Sequence, residues 1–283
     1  MASLAAGRAA IDAELSAWAA AGRTATLWWR DDDAARGNAQ LTRLMELAAK
    51  FSAPLTIAVV PRLAEASLVQ MIGQAPDVTP IVHGYAHLNH APETEKQAEF
   101  GAHRNLAVMQ ADLAEGLSIL RGMFGGKLLP ILVPPWNRIT SELIPRLAGL
   151  GYQGLSAFRP APDRRPASGL IQTNCHIDAI DWRALRVQRP AGAVLEELTA
   201  ILRIRRLYPQ IPKDTLILGK PIPPGFDPDE PTGILTHHLV QNAESWEFLS
   251  QLLRAIAPYC QPGGAVRWLR CADAFNLDGA QSV

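Results

Sequence analysis

Short apolar runs alternate with amphipathic segments along most of this chain. The runs are four to six residues long, and several end just before polar residues, as the buried strands of a parallel sheet do. The predicted strands are Ala25–Trp29, Leu55–Val60, Thr79–Val82, Leu128–Val133, Gly154–Ala157, Thr215–Leu218 and Gly233–Thr236.

Between these runs, apolar residues recur at helical spacing. In Asn38–Phe51 they fall at Leu41, Leu44, Met45 and Ala48, which share one face of a helix packed on a sheet. The same pattern predicts helices over Glu93–Arg121, Ser141–Leu150, Ala193–Arg203 and Glu244–Ala257, and the Ala-rich N-terminus predicts a surface helix.

The order of the elements indicates the fold class. Alternation of strand and helix about seven times in 283 residues predicts one α/β domain over residues 1–283, folded as a closed or nearly closed (β/α) barrel. An open doubly wound sheet is the alternative. The Pro-rich stretches Pro160–Pro166 and Pro221–Pro231 predict irregular loops that border a site.

Composition narrows the classes of partner. The 27 basic and 27 acidic residues cancel, so neither nucleic acid nor an anionic membrane surface is favoured. No stretch approaches the roughly 18 apolar residues of a membrane span, and no export signal is recognisable, so a cytoplasmic location is expected. The three cysteines fit neither a disulfide framework nor a CxxC zinc module.

Three consecutive carboxylates, Asp31, Asp32 and Asp33, follow the first apolar run. Their mutual repulsion is costly unless a cation or a firm hydrogen-bond network offsets it. A positive group is therefore expected at this strand end. The alternative is a solvated cluster that caps the following helix.

A second cluster follows the third run and contains three histidines, His83, His87 and His90. His83 and His87 are four residues apart, so one turn of helix or a tight loop can direct both at one ion, with Gly84 relieving crowding at the turn. With one aspartate they form a set that leaves positions open for water and substrate, as in catalytic zinc sites. Such a set suits zinc, but also cobalt, nickel and iron.

Three further strand ends carry candidate residues. After a Pro pair, Trp136 can form a pocket wall and Arg138 can orient a carboxylate, unless the segment is only a packed turn. The stretch Asp178–Trp182 predicts either a site or a solvated turn. His237 and His238 end the last run, where an imidazole can act as a general acid or simply pack.

Together these five clusters resemble the motifs of the polysaccharide deacetylases, the NodB-homology carbohydrate esterases. They extend from Trp29 to His238, roughly three quarters of the chain. The resemblance implies a distorted (β/α) barrel of about seven strands of the NodB-homology type. It implies Asp32 as catalytic base, Asp33, His83 and His87 as metal ligands and His237 as acid. The candidate substrate contacts are Trp136, Arg138, Asp181 and Trp182.

The first motif departs from the family pattern. Arg30 and Asp31 replace its Thr and Phe, and the third aspartate permits a shifted register in which Asp31 is the base and Asp32 the ligand. The small Ala34 in the place of the family's Gly favours the unshifted register.

Other motifs depart as well. Gly84 stands in a Ser/Thr place, and Val133 stands where the family has an arginine, so Arg138 is the predicted arginine beside the base. His238 is the alternative acid to His237, because neighbouring strand residues face opposite sides.

The resemblance implies zinc-assisted removal of an acetyl or related acyl group from an N-acetylated sugar, oligosaccharide or similar amide. One alternative is another small-molecule C–N hydrolase on the same scaffold. The other is a catalytically silent carbohydrate-binding protein. The sequence leaves the substrate and the oligomeric state open.

Overall fold

The chain folds around one large sheet, and the part described by the computed structural model comprises residues 3–182, 187–212 and 214–277. Within these ranges, nine strands form the sheet, and all of its strand pairs are parallel. All strands of the described part, including four that lie outside this sheet, are in chain order β1 (Ala25–Ala34), β2 (Leu55–Val59), β3 (Val78–His83), β4 (Ile131–Val133), β5 (Gly154–Leu155), β6 (Ile171–Gln172), β7 (Cys175–Asp178), β8 (Ile180–Asp181), β9 (Val187–Gln188), β10 (Leu216–Ile217), β11 (Lys220–Pro221), β12 (Thr232–Thr236) and β13 (Val266–Trp268). Strands β8 with β9 and β10 with β11 form separate antiparallel hairpins.

Helices surround the sheet and connect its strands. They are α1 (Leu4–Ala20), α2 (Ala39–Lys50), α3 (Ala66–Gly73), α4 (Leu106–Phe124), α5 (Ala191–Leu207), α6 (Ala243–Ile256) and α7 (Cys271–Ala274). In the described ranges, none of them has the length and apolar character needed to cross a bilayer.

The sheet curls until its two ends meet. Its order is β6-β5-β4-β3-β2-β1-β12-β7, with β13 beside the start of β1. The end strands β6 and β7 are consecutive in the chain, and the segment that joins them bonds to the continuation of β5. The backbone N–H of Thr173 donates to Leu155, and that of Cys175 donates to Ala157. The predicted distorted α/β barrel is therefore confirmed.

Alternation along β1 separates two apolar layers. Leu27 and Trp29 belong to the cluster formed with the helices, whereas Trp28 belongs to an inner cluster, edge-on to Phe275. Because successive strand residues face opposite sides, the same alternation directs Arg30 and Asp32 inward.

Two predicted helices are wrong in part. The segment predicted as the helix Glu93–Arg121 becomes helical only at Leu106. There the Asn105 side chain accepts hydrogen bonds from the backbone amides of Ala107 and Val108 and caps the start of α4. Ser141–Leu150 contains two short 3-10 turns instead of one α-helix. Pro145 lies in the first of them, and it cannot donate an intrahelical hydrogen bond.

The strand predictions also need correction. Thr215–Leu218 is not part of the main sheet, because Leu218 and Gly219 both have positive φ and form a two-residue hairpin turn between β10 and β11. Strands β6, β7 and β13 were not predicted. β7 has the sequence Cys-His-Ile-Asp, which contains no continuous apolar run.

A buried charged cluster lies at the opposite end of the barrel from the aspartates. The Glu230 carboxylate accepts from Arg205 (3.3 Å), from the His176 ring (3.2 Å) and from the backbone amide of Asn174 (2.9 Å). Burial raises the pKa of Glu230, but His176 and Arg205 outweigh it and lower the pKa to about 2.

Glu230→Gln is predicted to destabilise the fold, because Arg205 then remains buried without a counter-charge. The expected loss in the free energy of unfolding is about 3–5 kcal/mol at neutral pH, measured by urea denaturation. The control is Asp77→Asn, which breaks an exposed ion pair with Arg270 and should cost less than about 1 kcal/mol.

The difference in the free energy of unfolding between wild type and Glu230→Gln should depend on pH with a definite sign. The folded-state pKa of Glu230, about 2, lies below its ordinary value of 4.5. The contribution of the ionised carboxylate to the free energy of unfolding is therefore complete above pH 4.5 and declines as the pH falls towards 2. A difference between wild type and Glu230→Gln that does not shrink over this window contradicts the assignment.

Candidate active site

Asp33, His83 and His87 converge at the carboxyl ends of the barrel strands. Asp33 Oδ1 lies 3.0 Å from His83 Nε2 and 3.2 Å from His87 Nε2, and one ligand atom from each residue lies within 4.8 Å of the others. Two ligands bound tetrahedrally to zinc at about 2.1 Å are roughly 3.4 Å apart. The spacing fits a shared divalent cation.

Local backbone geometry directs these side chains. The register between β1 and β2 shifts after Asp31, and Asp33 has a φ of 70°, so a bulge interrupts the alternation and reorients its carboxylate. His83 ends β3, and its Nδ1 lies 3.0 Å from the carbonyl of Val133. Donation from Nδ1 to that carbonyl leaves Nε2 as the ligand atom.

The electrostatics of this cluster favour positive charge. Burial raises the pKa of Asp33, but hydrogen bonds with His83 and His87 outweigh it and hold the pKa well below its usual range. Burial lowers the pKa of His83, but Asp32 and Asp33 outweigh it and raise the pKa. A divalent cation would supply the positive charge that this donor set attracts.

Asp32 lies beside this cluster and is paired with Arg30. Arg30 Nε lies 2.9 Å from Asp32 Oδ1, and Nη2 donates to Oδ2 at 2.9 Å. The guanidinium also donates to the side chains of Asn137 (2.7 Å) and Ser156 (2.6 Å) and to the carbonyl of Ala157 (3.3 Å). Burial lowers the pKa of Arg30, but Asp32 outweighs it and the pKa is raised.

Asp31 has a different set of partners. Its carboxylate accepts from the Thr236 hydroxyl (2.7 Å) and the His238 backbone amide (3.0 Å), and lies 2.5 Å from His238 Nδ1. His238 is fully buried, and its Nε2 lies 3.4 Å from the Asn38 side chain. Asn38, not the aspartate cluster, caps α2.

His237 lies on the Asp32 side of the strand end. Its Nε2 is 4.0 Å from Asp32 Oδ2, and its ring packs edge-on against Trp182 at 4.5 Å between centroids. The Trp182 indole donates to Asp178 at 2.7 Å. No hydrogen-bond partner for the buried His237 Nδ1 lies among the described residues.

The remaining candidates are Trp136, Asp181 and Arg138, and of these Trp136 contacts the ligand set. The Trp136 ring contacts that of His87, with 4.4 Å between centroids. Asp181 lies in β8, where it pairs with Val187. Arg138 donates to the carbonyl of Gln97 at 2.6 Å.

The arginine beside Asp32 is thus Arg30 and not the predicted Arg138. Sequence reasoning treated Arg30 only as a departure from the first motif. The signal that could have identified it is the spacing, since residues i and i+2 of a strand lie on the same face.

Comparisons with known proteins support the fold. No family model matches the sequence, and no curated protein matches it. Among solved structures, a candidate polysaccharide deacetylase from Mycobacterium smegmatis is 12% identical, with a TM-score of 0.60 over 93% of each chain. The Puue allantoinase is 13% identical, with a TM-score of 0.56 over 91% of each chain.

A third neighbour is the Bc1960 peptidoglycan N-acetylglucosamine deacetylase, which is 13% identical, with a TM-score of 0.51 over 89% of each chain. At these identities, the likeness concerns the fold. The resemblance inferred from the motifs is therefore confirmed at that level, and the chain has the NodB-homology fold of the polysaccharide deacetylases.

Arg30→Met is predicted to destabilise the protein, because it leaves the Asp32 carboxylate buried without its counter-charge. The expected loss is about 3–5 kcal/mol in the free energy of unfolding, measured with urea in the presence of a chelator. The control Arg138→Met removes one hydrogen bond to Gln97 and should cost about 1 kcal/mol.

The double variant Arg30→Met/Asp32→Leu removes both charges and should regain much of the loss. A double variant no more stable than Arg30→Met would show that the ion pair is not the source of the effect.

Proposed function

We propose that the protein is a metal-dependent hydrolase, with zinc as its cation, that removes an acetyl or related acyl group from an N-acetylated sugar or similar amide. The observation that carries the proposal is the proximity of two distinct arrangements at one barrel end. One is the ligand set of Asp33, His83 and His87, and the other is the pair of Asp32 and His237, 4.0 Å apart.

A divalent cation held by the ligand set would polarise the substrate carbonyl and lower the pKa of a bound water. Asp32 accepts the proton of the attacking water, and Arg30 fixes its carboxylate through two contacts of 2.9 Å. His237 donates a proton to the departing nitrogen. Acid–base catalysis of this kind contributes roughly 10²–10⁴-fold to the rate.

The roles of the two histidines at the end of β12 follow from their surroundings. His238 is fully buried and contacts Asp31 and Asn38, so no ring nitrogen remains for a substrate. His237 faces Asp32 and Trp182, which favours it as the acid. The same contacts engage Asp31 and favour Asp32 as the base.

A second candidate is hydrolysis of a cyclic amide or another small-molecule C–N bond. It is suggested by the likeness to an allantoinase, whose TM-score of 0.56 lies between those of the two polysaccharide deacetylases, 0.60 and 0.51. Trp136 beside His87 and the half-exposed Trp182 would contact either substrate. A panel of N-acetyl sugars and cyclic amides separates the candidates by the product released.

Metal binding and turnover are predicted to separate in two adjacent variants. Asp33→Ala should lose the metal, because it removes one of three ligands. Asp32→Asn should keep the metal and lose roughly 10²–10⁴-fold in turnover, because it removes the base. The measurements are elemental analysis of the purified protein and acetate release, which chelation should abolish and zinc should restore.

The matched control is Asp77→Asn, whose carboxylate lies in an exposed ion pair and should affect neither measurement. Circular dichroism and urea unfolding check that Asp32→Asn remains folded, since Arg30 loses part of its pairing. Equal loss of metal in the two variants would exclude the assignment of base and ligand.

His237→Asn is predicted to affect substrates unequally. Loss of the general acid should slow the release of a poor leaving group, such as a sugar amine, by roughly 10²-fold or more, with little effect on an activated ester such as 4-nitrophenyl acetate. The measurement is kcat/KM for both substrates at matched metal content. An equal reduction for the two substrates would argue against proton donation by His237.

A further inference from the structure

Glu99 is a buried carboxylate directly beneath the loop that carries His87. It is 1% exposed. Its Oε2 accepts from the backbone amide of Tyr85 (3.0 Å), and its Oε1 accepts from those of Ala86 (2.8 Å) and Leu88 (3.4 Å). Three amides of one short loop therefore converge on a single side chain that lies outside every motif considered above.

The position of Gly84 explains how this carboxylate fits. A Cβ atom at Gly84 would lie 2.2 Å from Glu99 Oε2 and 2.5 Å from Pro135 Cδ, and the residue has a φ of 59°. The space that a serine or threonine would need at this position is therefore occupied by Glu99. The departure at Gly84 and the presence of Glu99 are two parts of one arrangement.

The contacts of Glu99 bear directly on the conformation of His87. His87 lies between Ala86 and Leu88, whose backbone amides both donate hydrogen bonds to the Glu99 carboxylate. The φ of His87 is 56°. A residue other than glycine adopts this left-handed conformation only when its surroundings enforce it. In this conformation, His87 Nε2 lies 3.2 Å from Asp33 Oδ1.

Glu99 is itself anchored from the neighbouring turn. Arg138 donates to the carbonyl of Gln97 at 2.6 Å, and the Thr140 amide donates to the carbonyl of Phe100 at 2.8 Å. These bonds flank Glu99 on both sides. They fix the backbone from which its carboxylate reaches the loop.

We infer that Glu99 is a positioning residue of the metal centre, which holds loop 84–88 so that His87 is directed at the cation. The role rests on the proposed function, because it requires that Asp33, His83 and His87 bind a metal. It assigns to Glu99 the task of shaping the loop.

The test is Glu99→Gln, which keeps the size of the side chain but replaces one accepting oxygen with an NH₂ group. Isothermal titration of the metal-free protein with Zn²⁺ should give an affinity roughly 10- to 100-fold below wild type, the usual effect of losing a group that orients a ligand. In the metal-free state, hydrogen exchange at the Ala86 and Leu88 amides should also become faster.

Two controls separate this role from a general effect on stability. Glu95→Gln removes an exposed carboxylate from the same segment and should leave Zn²⁺ affinity unchanged. Glu230→Gln removes a buried carboxylate at the far end of the barrel, so it should lower stability and leave the affinity of the folded protein unchanged.

The outcomes are distinct. If wild type binds Zn²⁺ and Glu99→Gln binds it equally well, the role of Glu99 is excluded and the proposed function stands. If affinity falls without faster exchange at Ala86 and Leu88, positioning of the loop is excluded. If Glu230→Gln loses the same affinity, the effect is one of stability. If wild type binds no divalent cation, the proposed metal centre fails, and the role of Glu99 fails with it.

Discussion

Three adjacent carboxylates at the end of β1 impose the constraint around which this site is arranged. Like charges so close together require separate compensation, and each aspartate has a different partner. Asp31 contacts His238, Asp32 contacts Arg30, and Asp33 contacts two histidines. Alternation along the strand separates Asp31 from Asp32, and the bulge after Asp31 gives Asp33 a third direction.

This separation of directions allows one short segment to contribute to two chemical tasks. Of the three, Asp33 contacts His83 and His87, so a cation bound there would have one carboxylate ligand and open positions. Asp32, the proposed base, is the neighbour of Asp33 in the chain, and Arg30 fixes the orientation of its carboxylate. Asp31 and His238 connect the ends of β1 and β12 on the side of the helices. Under the proposed function, the same three residues thus supply ligand, base and support.

The sequence predicted the features that depend on local pattern. Apolar runs predicted most of the barrel strands, and the predicted ligands Asp33, His83 and His87 at their ends meet in one place. Features that depend on distant partners were not predicted. The segment that contains Glu99 was assigned to a helix, because the spacing of its apolar residues does not reveal that the Glu99 carboxylate accepts hydrogen bonds from the amides of Tyr85 and Ala86. The strand β7 lacks an apolar run, and only its pairing with the distant strand β12 identifies it.

A different reason explains why Arg138 was chosen over Arg30. Val133 occupies the position where the resemblance places an arginine, and the nearest arginine along the chain is Arg138. In the fold, however, Arg30 and Asp32 are two residues apart on one strand, so their pairing does not depend on the register between strands.

The location of the arginine on β1 also has a consequence for the base. The remaining donors of the Arg30 guanidinium must be satisfied inside the barrel, and they bond to Asn137 after β4 and to Ser156 after β5. Asp32 is therefore linked through one side chain to two other strand ends. If Asp32 is the base, as proposed, it gains from such restraint, because catalytic geometry tolerates little displacement.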